Sequence, residues 1–558
     1  MKLLILGGYG VFGGRLAELL ADIEGLHILI CGRNALKAQR FCEARTGAAQ
    51  FTPFALDRAD IAQALASERP DIVVDASGPF QDYGTAPYAV VQACIVAGVN
   101  YFDFADASDF VFGISEFDDA AKKAGVCVLS GVSSFPVLTA AVLREMGKTM
   151  QVKSVIGGIA PSPYAGIGLN VMRAVVGYAG GPVMLRRGGK AHTAYGLTES
   201  LRYTVAAPGY VPLRNILYSL VEVPDLQVLP REIPELDDIW MGAGPVPEVL
   251  HRTLNGLAKA RAKLRLPSLR PFSKLFYAVL NLMKFGEHRG GMFVEAAGTR
   301  DGESVTQSWH LLAEGDDGPY IPSMAIEALV RKWISGERPA IGARPATRAL
   351  ELSDYYALFK GRTIYAGLRE DRPEAPLYER VLGAAFETLP PSVQSIHASR
   401  EIRIWSGQAQ CEGASNPVAA CLRYIIGFPP AAKSCPVSVS FERSGGKEIW
   451  TRSFAGKKFS SEQSLGTGKN AHLLMEKFGP ITVALAVIVN QDKINGGRLQ
   501  LVPRRWFFCG VPLPKVLLPS DQSFEYASGG KFHFDVTIAA PFIGRIAAYR
   551  GWLVKDEG

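Results

Sequence analysis

The stretch at residues 3–15, LLILGGYGVFGGR, constrains the fold more than any other part of the chain. A short apolar run, Leu3 to Leu6, meets Gly8, Gly10 and Gly13 at G-x-G-x-x-G spacing, and Leu16, Leu19, Leu20 and Ile23 then recur at i, i+3, i+4, i+7. That order reads as strand, tight glycine turn and amphipathic helix. One glycine lets the chain turn, the next lets backbone approach a pyrophosphate, and the third lets the helix pack on the strand. The free N–H groups of the helix's first turn then face the phosphates. Glycine-rich turns also serve as plain strand-to-helix connections, and it is the flanking pattern that favours a dinucleotide site. Gly8, Tyr9, Gly10, Val11, Phe12 and Gly13 are the candidate phosphate-binding residues.

A second apolar run, HILIC at residues 27–31, ends in Gly32, Arg33 and Asn34. In NAD sites this strand end normally carries Asp or Glu for the ribose 2′-hydroxyl, and none is present. Arg33, flanked by Asn34, stands there instead, where a guanidinium pairs with a 2′-phosphate and stacks on adenine. The expected cofactor is therefore NADP, the alternative being a solvated loop charge. Strands and helices keep alternating: helix 35–45, strand 51–54, helix 60–67, strand 72–76. Such alternation predicts an α/β, doubly wound parallel sheet. Ser77, Gly78, Pro79 and Phe80 follow the last of these strands, with Tyr83 and Gly84 just beyond, and this loop is expected to cover the nicotinamide half of the cofactor. Asp103 and Asp106 sit at the next strand end.

The motif Gly8-x-Gly10-x-x-Gly13, then VVDASGPFQDYG, ACIVAGVNYFDFAD and GVSSFP, in this order and spacing, resemble the saccharopine dehydrogenase-like oxidoreductase family. The resemblance is good over residues 1–145 and looser to about residue 350. It implies an NADP-binding Rossmann domain followed by a mixed α/β domain that closes over substrate. It also implies hydride transfer to or from a C=N, C=O or C=C carbon. Saccharopine reductases, polyamine-pathway reductases and lipid-related enoyl reductases share this architecture, so the resemblance fixes the cofactor class better than the substrate. Tyr83, then Asp103 and Asp106, are the candidate proton donors because they lie at strand ends on the cofactor side. Structural roles stand beside these, Tyr83 as a loop brace and Asp103 as a helix cap. The small-residue turn at 166–170 resembles the family's substrate-side turn, making Asn170, Arg173 and His192 candidate substrate contacts.

At 558 residues the chain exceeds a single core, and 48% hydrophobic with 20% charged residues describes ordinary globular domains. The expected division is 1–145, the NADP-binding domain; 146–360, a mixed α/β closing domain; 361–376, a charged, proline-containing linker; and 377–558, an all-β barrel or sandwich. Hairpin-like turns at 444–447 and 495–498 separate strands of the last domain. Its segments LYERVLGAAFETLP, RRWFFCGVPLP and AAPFIGRIAAYRGWL resemble an uncharacterised C-terminal domain of bacterial proteins. Residues 252–285 interleave basic and apolar side chains, which reads as a helical cover over a cleft, with a lipid or peripheral membrane surface as the alternative. Eight cysteines without C-x-x-C or Cys/His ligand spacing predict free thiols, no metal and a cytoplasmic setting. The net charge of +7 is spread along the chain and Arg504, Arg505 and Trp506 lack a repeated stacking pattern, so nucleic acid is not an expected partner. A small-molecule substrate is expected and a homodimer is left open. The competing reading is a non-catalytic NADP-binding protein whose β domain holds an apolar ligand or a partner.

Overall fold

The computed structural model describes all residues except 246, 399–402, 445, 493–495 and 557–558. A strand expected from residue 401 and the turns expected around 445 and 495 lie partly outside the described residues. Two compact units emerge, Met1–Arg202 with Leu217–Tyr365, and Tyr203–Ile216 with Ala366–Gly558.

In chain order the strands up to residue 370 are β1 (Lys2–Leu6), β2 (His27–Gly32), β3 (Gln50–Ala55), β4 (Ile72–Asp75), β5 (Asn100–Asp103), β6 (Cys127–Ser130), β7 (Gln151–Ala160), β8 (Pro182–Arg187), β9 (Lys190–Tyr195), β10 (Ser200–Val205), β11 (Leu213–Leu220), β12 (Asp238–Ala243), β13 (Arg289–Arg300), β14 (Glu303–Glu314), β15 (Gly342–Pro345) and β16 (Ile364–Glu370). Seven of them form a parallel sheet in the order β15-β6-β5-β4-β1-β2-β3. The central strands are buried on both faces, which is why Leu3, Leu4, Ile5, Val73 and Val74 form unbroken apolar runs without alternation. Strand order reverses between β1 and β4, so the glycine turn after β1 and the loop after β4 share the crevice beyond the strands' carboxyl ends.

The second sheet runs β10-β11-β12-β7-β13-β14-β16. Its β13–β14 hairpin turns at Asp301-Gly302, both at positive φ, as the Asp-Gly pair requires. The helix Ile321–Ile334 packs back on the first helix, Val11–Leu19: Ser323 Oγ donates to Phe12 O at 3.1 Å and Arg331 donates to Leu19 O at 3.0 Å. The basic, apolar-interleaved stretch forms two helices, Glu248–Leu264 and Ser273–Leu282. Arg261 anchors the first of them to the carbonyls of Gly177 and Ala179 at 2.8 and 2.6 Å.

Residues 361–376 are not simply a linker. Charge and proline suggested one, yet 364–370 form β16, the edge strand beside β14. Nor does the β-rich unit consist of 377–558 alone, because Tyr203–Ile216 belongs to it.

In that unit the strands are β17 (Arg403–Glu412), β18 (Ala432–Ser444), β19 (Lys447–Phe454), β20 (Lys457–Leu465), β21 (Leu474–Phe478), β22 (Ile481–Asp492), β23 (Gly496–Phe508), β24 (Val511–Pro512), β25 (Ser520–Ser528), β26 (Lys531–Ala540) and β27 (Gly544–Lys555). Apart from the two-residue β24, they form a closed ten-stranded antiparallel barrel, in which β17 pairs with β27 and β22 with β23. Closure pairs the strand edges an open sandwich would leave exposed.

Candidate functional site

The glycine turn is held by its own backbone. Gly10 N–H donates to Gly7 O at 2.8 Å, and a Cβ on Gly13 or Gly10 would stand 2.5 or 2.9 Å from that same oxygen. Gly7 sits at φ +71°, where a Cβ would come within 2.7 Å of Ala76 O at the end of β4. The helix Val11–Leu19 starts at Gly10 with no side-chain cap and no acidic residue in its first turn. Its first N–H groups and the positive end of its dipole are therefore left for an anion.

At the end of β2, Tyr9 lies across Gly32 so closely that a Cβ there would stand 2.4 Å from the ring. The Asn34 N–H donates to the Tyr9 hydroxyl at 3.2 Å, and Asn34 Oδ1 caps the next helix by accepting from Lys37 N at 2.9 Å. Arg33 is exposed between them and, among the described residues, makes no ion pair or hydrogen bond. The uncapped helix N-terminus beside this strand end fits the pyrophosphate of a dinucleotide.

Asp75, fully buried at the end of β4, organises the loop of the other half. Its Oδ1 accepts from Ser77 N at 3.0 Å and Ser77 Oγ at 2.5 Å, and Tyr83 donates to the same carboxylate at 3.2 Å. Arg58 Nε lies 3.4 Å from Asp75 while its guanidinium stacks 3.5 Å above the Tyr83 ring. Burial, reinforced by the Asp75 charge, pushes the Tyr83 hydroxyl well above the ordinary tyrosine range. Phe80 packs against Tyr83 and Phe110, and Pro79 follows Gly78 through a cis peptide.

The turn at 166–170 reaches this crevice. Asn170 Nδ2 donates to Gly78 O at 2.6 Å, and Arg15 donates to Ala165 O at 2.9 Å. Arg173 joins through a 3.2 Å hydrogen bond to Asn170 Oδ1. His192 is not brought in by any of these contacts; it is exposed on the separate β8–β9 ribbon, opposite Leu185.

Asp103 ties two strand ends together. Its Oδ1 accepts from Gly131 N at 2.7 Å and Ala105 N at 3.0 Å, and burial raises its carboxyl to about 7 despite both amides. Asp106 receives Gln81 Nε2 at 3.3 Å, beside the Ser77–Phe80 loop, and burial raises it as well. The sequence reading missed two further groups here. Glu222, just after β11, accepts from Ser108 N at 3.0 Å; burial, with the charges of Asp106 and Asp109, lifts it to about 7. Tyr178 ends the helix Leu169–Tyr178 that begins beside Asn170, and it feels both Glu222 and Asp106. The only hint in the sequence was an acid directly after an alternating strand, in LVEVP.

A parallel sheet with its glycine turn at the strand-order reversal defines a Rossmann-type dinucleotide-binding domain. Residues 3–129 match the model of the saccharopine dehydrogenase NADP binding domain, and residues 389–553 match a domain of unknown function, DUF4166. The first match supports an oxidoreductase in the generic sense. A search of curated proteins found no match. Among solved structures the chain is similar to a probable dehydrogenase from Thermotoga maritima, at 12% identity and TM-score 0.30, over 61% of this chain and 91% of that one. It is also similar to GenD2 from gentamicin A biosynthesis, solved in complex with NAD, at 14% identity and TM-score 0.29, over 67% and 96% of the two chains. Among the described residues no helix is long and apolar enough to cross a membrane, and no cluster of metal-ligating side chains occurs.

Proposed function

We propose that the chain is an NADP-dependent oxidoreductase that reduces or oxidises a C=N, C=O or C=C carbon. The observation that carries this reading is the pairing of an uncapped helix N-terminus at Gly10 with Arg33, unpartnered among the described residues, on an acid-free strand end. When bound, the nicotinamide supplies or accepts the hydride. The chain's own residues bind, orient and move a proton. Backbone N–H groups of residues 11–13 hold the pyrophosphate and Arg33 the 2′-phosphate. The Asp75–Ser77–Tyr83 network keeps the Gly78–Phe80 loop in one conformation, with Tyr83 as its brace. Asn170 and Arg173 face substrate from the opposite wall. Glu222, with Asp106 beside it, holds a proton near neutral pH and delivers it, since a carboxyl at about 7 is suited to both states.

The test is NADPH oxidation against panels of carbonyl, imine and enoyl compounds, followed by the pH profile of the best one. Glu222→Gln is expected to lower kcat by about 10²–10⁴-fold and remove the limb near pH 7, leaving NADPH affinity unchanged. NADPH that binds but is consumed with no panel would contradict the reading, and an unaltered pH limb would remove Glu222 from it.

A further inference from the structure

The barrel formed by β17–β27 encloses a cavity of ≈ 360 Å³, within the roughly 300–1,000 Å³ of small-molecule sites. Its walls are apolar, among them Val439, Phe454, Val483, Leu485, Leu501 and Phe534. The helices Leu377–Leu382 and Pro391–Ala398 precede β17 and close the end at which that strand begins. The helix Pro417–Ile426 follows β17 at the other end, with Leu422 and Ile426 lining the cavity.

Several polar side chains interrupt the apolar lining. Arg452 donates to Ser461 Oγ at 2.9 Å and to Glu476 at 3.3 Å, and Glu476 also accepts from Ser461 at 2.7 Å. Glu525 lies 2.6 Å from His397 Nε2, and His397 stacks on Tyr378. Each carboxylate thus faces a basic group, and the guanidinium already has its acid. Among the described residues that line the cavity, one buried side-chain acceptor is left over. Gln463, 1% exposed on the inward face of β20, gives its Nε2 to Glu476 at 3.1 Å, while its Oε1 accepts nothing among the described residues. Turning the amide over would set oxygen against carboxylate oxygen, so the unmet atom is an acceptor. A buried acceptor without a donor is costly, and a cavity this apolar is far larger than the ~30 Å³ of one water.

We propose that this cavity binds one neutral, chiefly apolar molecule ending in a hydrogen-bond donor, an alcohol hydroxyl or an amide N–H, which Gln463 Oε1 accepts. An anionic head is disfavoured because it would enter beside Glu476 and Glu525, with Arg452 already paired. The site lies wholly within the second unit and does not rest on the oxidoreductase reading.

The experiment uses the full chain and the neutral dye Nile red, displaced by hexadecanol, hexadecyl methyl ether or hexadecanoate. One dye is expected per chain, with the alcohol displacing it about tenfold better than the ether, which cannot donate. Gln463→Leu should bind the dye as the wild type does and treat alcohol and ether alike within about threefold. Failure of the dye to bind overturns the proposal. So does equal displacement by alcohol and ether in the wild type, retention of the preference in Gln463→Leu, or a preference for hexadecanoate, which would move recognition to Arg452.

Discussion

Gly13 shows how much of the cofactor site is decided by single atoms. Its missing Cβ leaves 2.5 Å to Gly7 O, backbone that cannot step aside without opening the turn. Gly13→Ala is therefore expected to cost about 1–3 kcal/mol of stability and abolish NADPH binding, read by thermal melting and nucleotide fluorescence. Gly10 is held by the same oxygen at 2.9 Å, so valine there disturbs the turn as well as the space for pyrophosphate. Asp103 gives a second residue-scale prediction. Burial raises its carboxyl from the ordinary aspartate value of 3.8 to about 7, so the folded state binds its proton more tightly than the unfolded state does. Its contribution is full below pH 4 or so and is lost as pH rises towards 7. Glu222 and Asp225, also raised to about 7 by burial, act in the same direction. Melting temperature should fall between pH 5 and pH 8, by an amount on the order of a few kcal/mol in stability. Asp103→Asn keeps an Oδ1 for the two amides and should flatten part of that slope; an unchanged slope would remove Asp103 from the account. Glu222 itself was not legible in the sequence. Its meaning comes from Ser108 and Asp106, more than a hundred positions away, and no local pattern encodes that meeting.

At the scale of elements, period and turn chemistry were legible, and pairing was not. The strand–glycine–helix unit, the β13–β14 hairpin and the short alternating runs after residue 400 all follow from local spacing. Barrel closure does not, because it depends on β17 meeting β27 across the length of the domain. β16 was hidden for a related reason: Arg369 and Glu370 make the strand look solvated, yet Arg369 is buried. Its Nε donates to Ala206 O at 2.6 Å and its Nη1 to Val381 O at 3.0 Å, joining the Tyr203–Ile216 excursion to the β-rich unit. Burial lowers its guanidinium to about 10, still charged at neutral pH. Arg369→Met should remove the hydrogen bonds it donates to both carbonyls and lower stability by about 1–3 kcal/mol. A two-step thermal melt, with only the barrel's transition lowered, would bear this out. An unmoved transition would mean that those carbonyls find other donors.

At the scale of the whole molecule, two units carry two different chemistries. The first holds a helix N-terminus without a side-chain cap, an arginine unpaired among the described residues and a group of carboxyls raised by burial. The second encloses an apolar cavity in whose described lining the Gln463 Oε1 acceptor is unmet. A direct titration of NADPH and NADH into the wild type and Arg33→Asp tests the cofactor assignment of the first unit. A charge-assisted contact to the 2′-phosphate is worth about 1.5–3 kcal/mol, so the wild type should prefer NADPH by roughly tenfold to over a hundredfold. Arg33→Asp should reverse that order without changing the melting temperature, since Arg33 has no partner to lose among the described residues. Equal affinities for the two nucleotides in the wild type, or a variant that still prefers NADPH, would contradict the assignment.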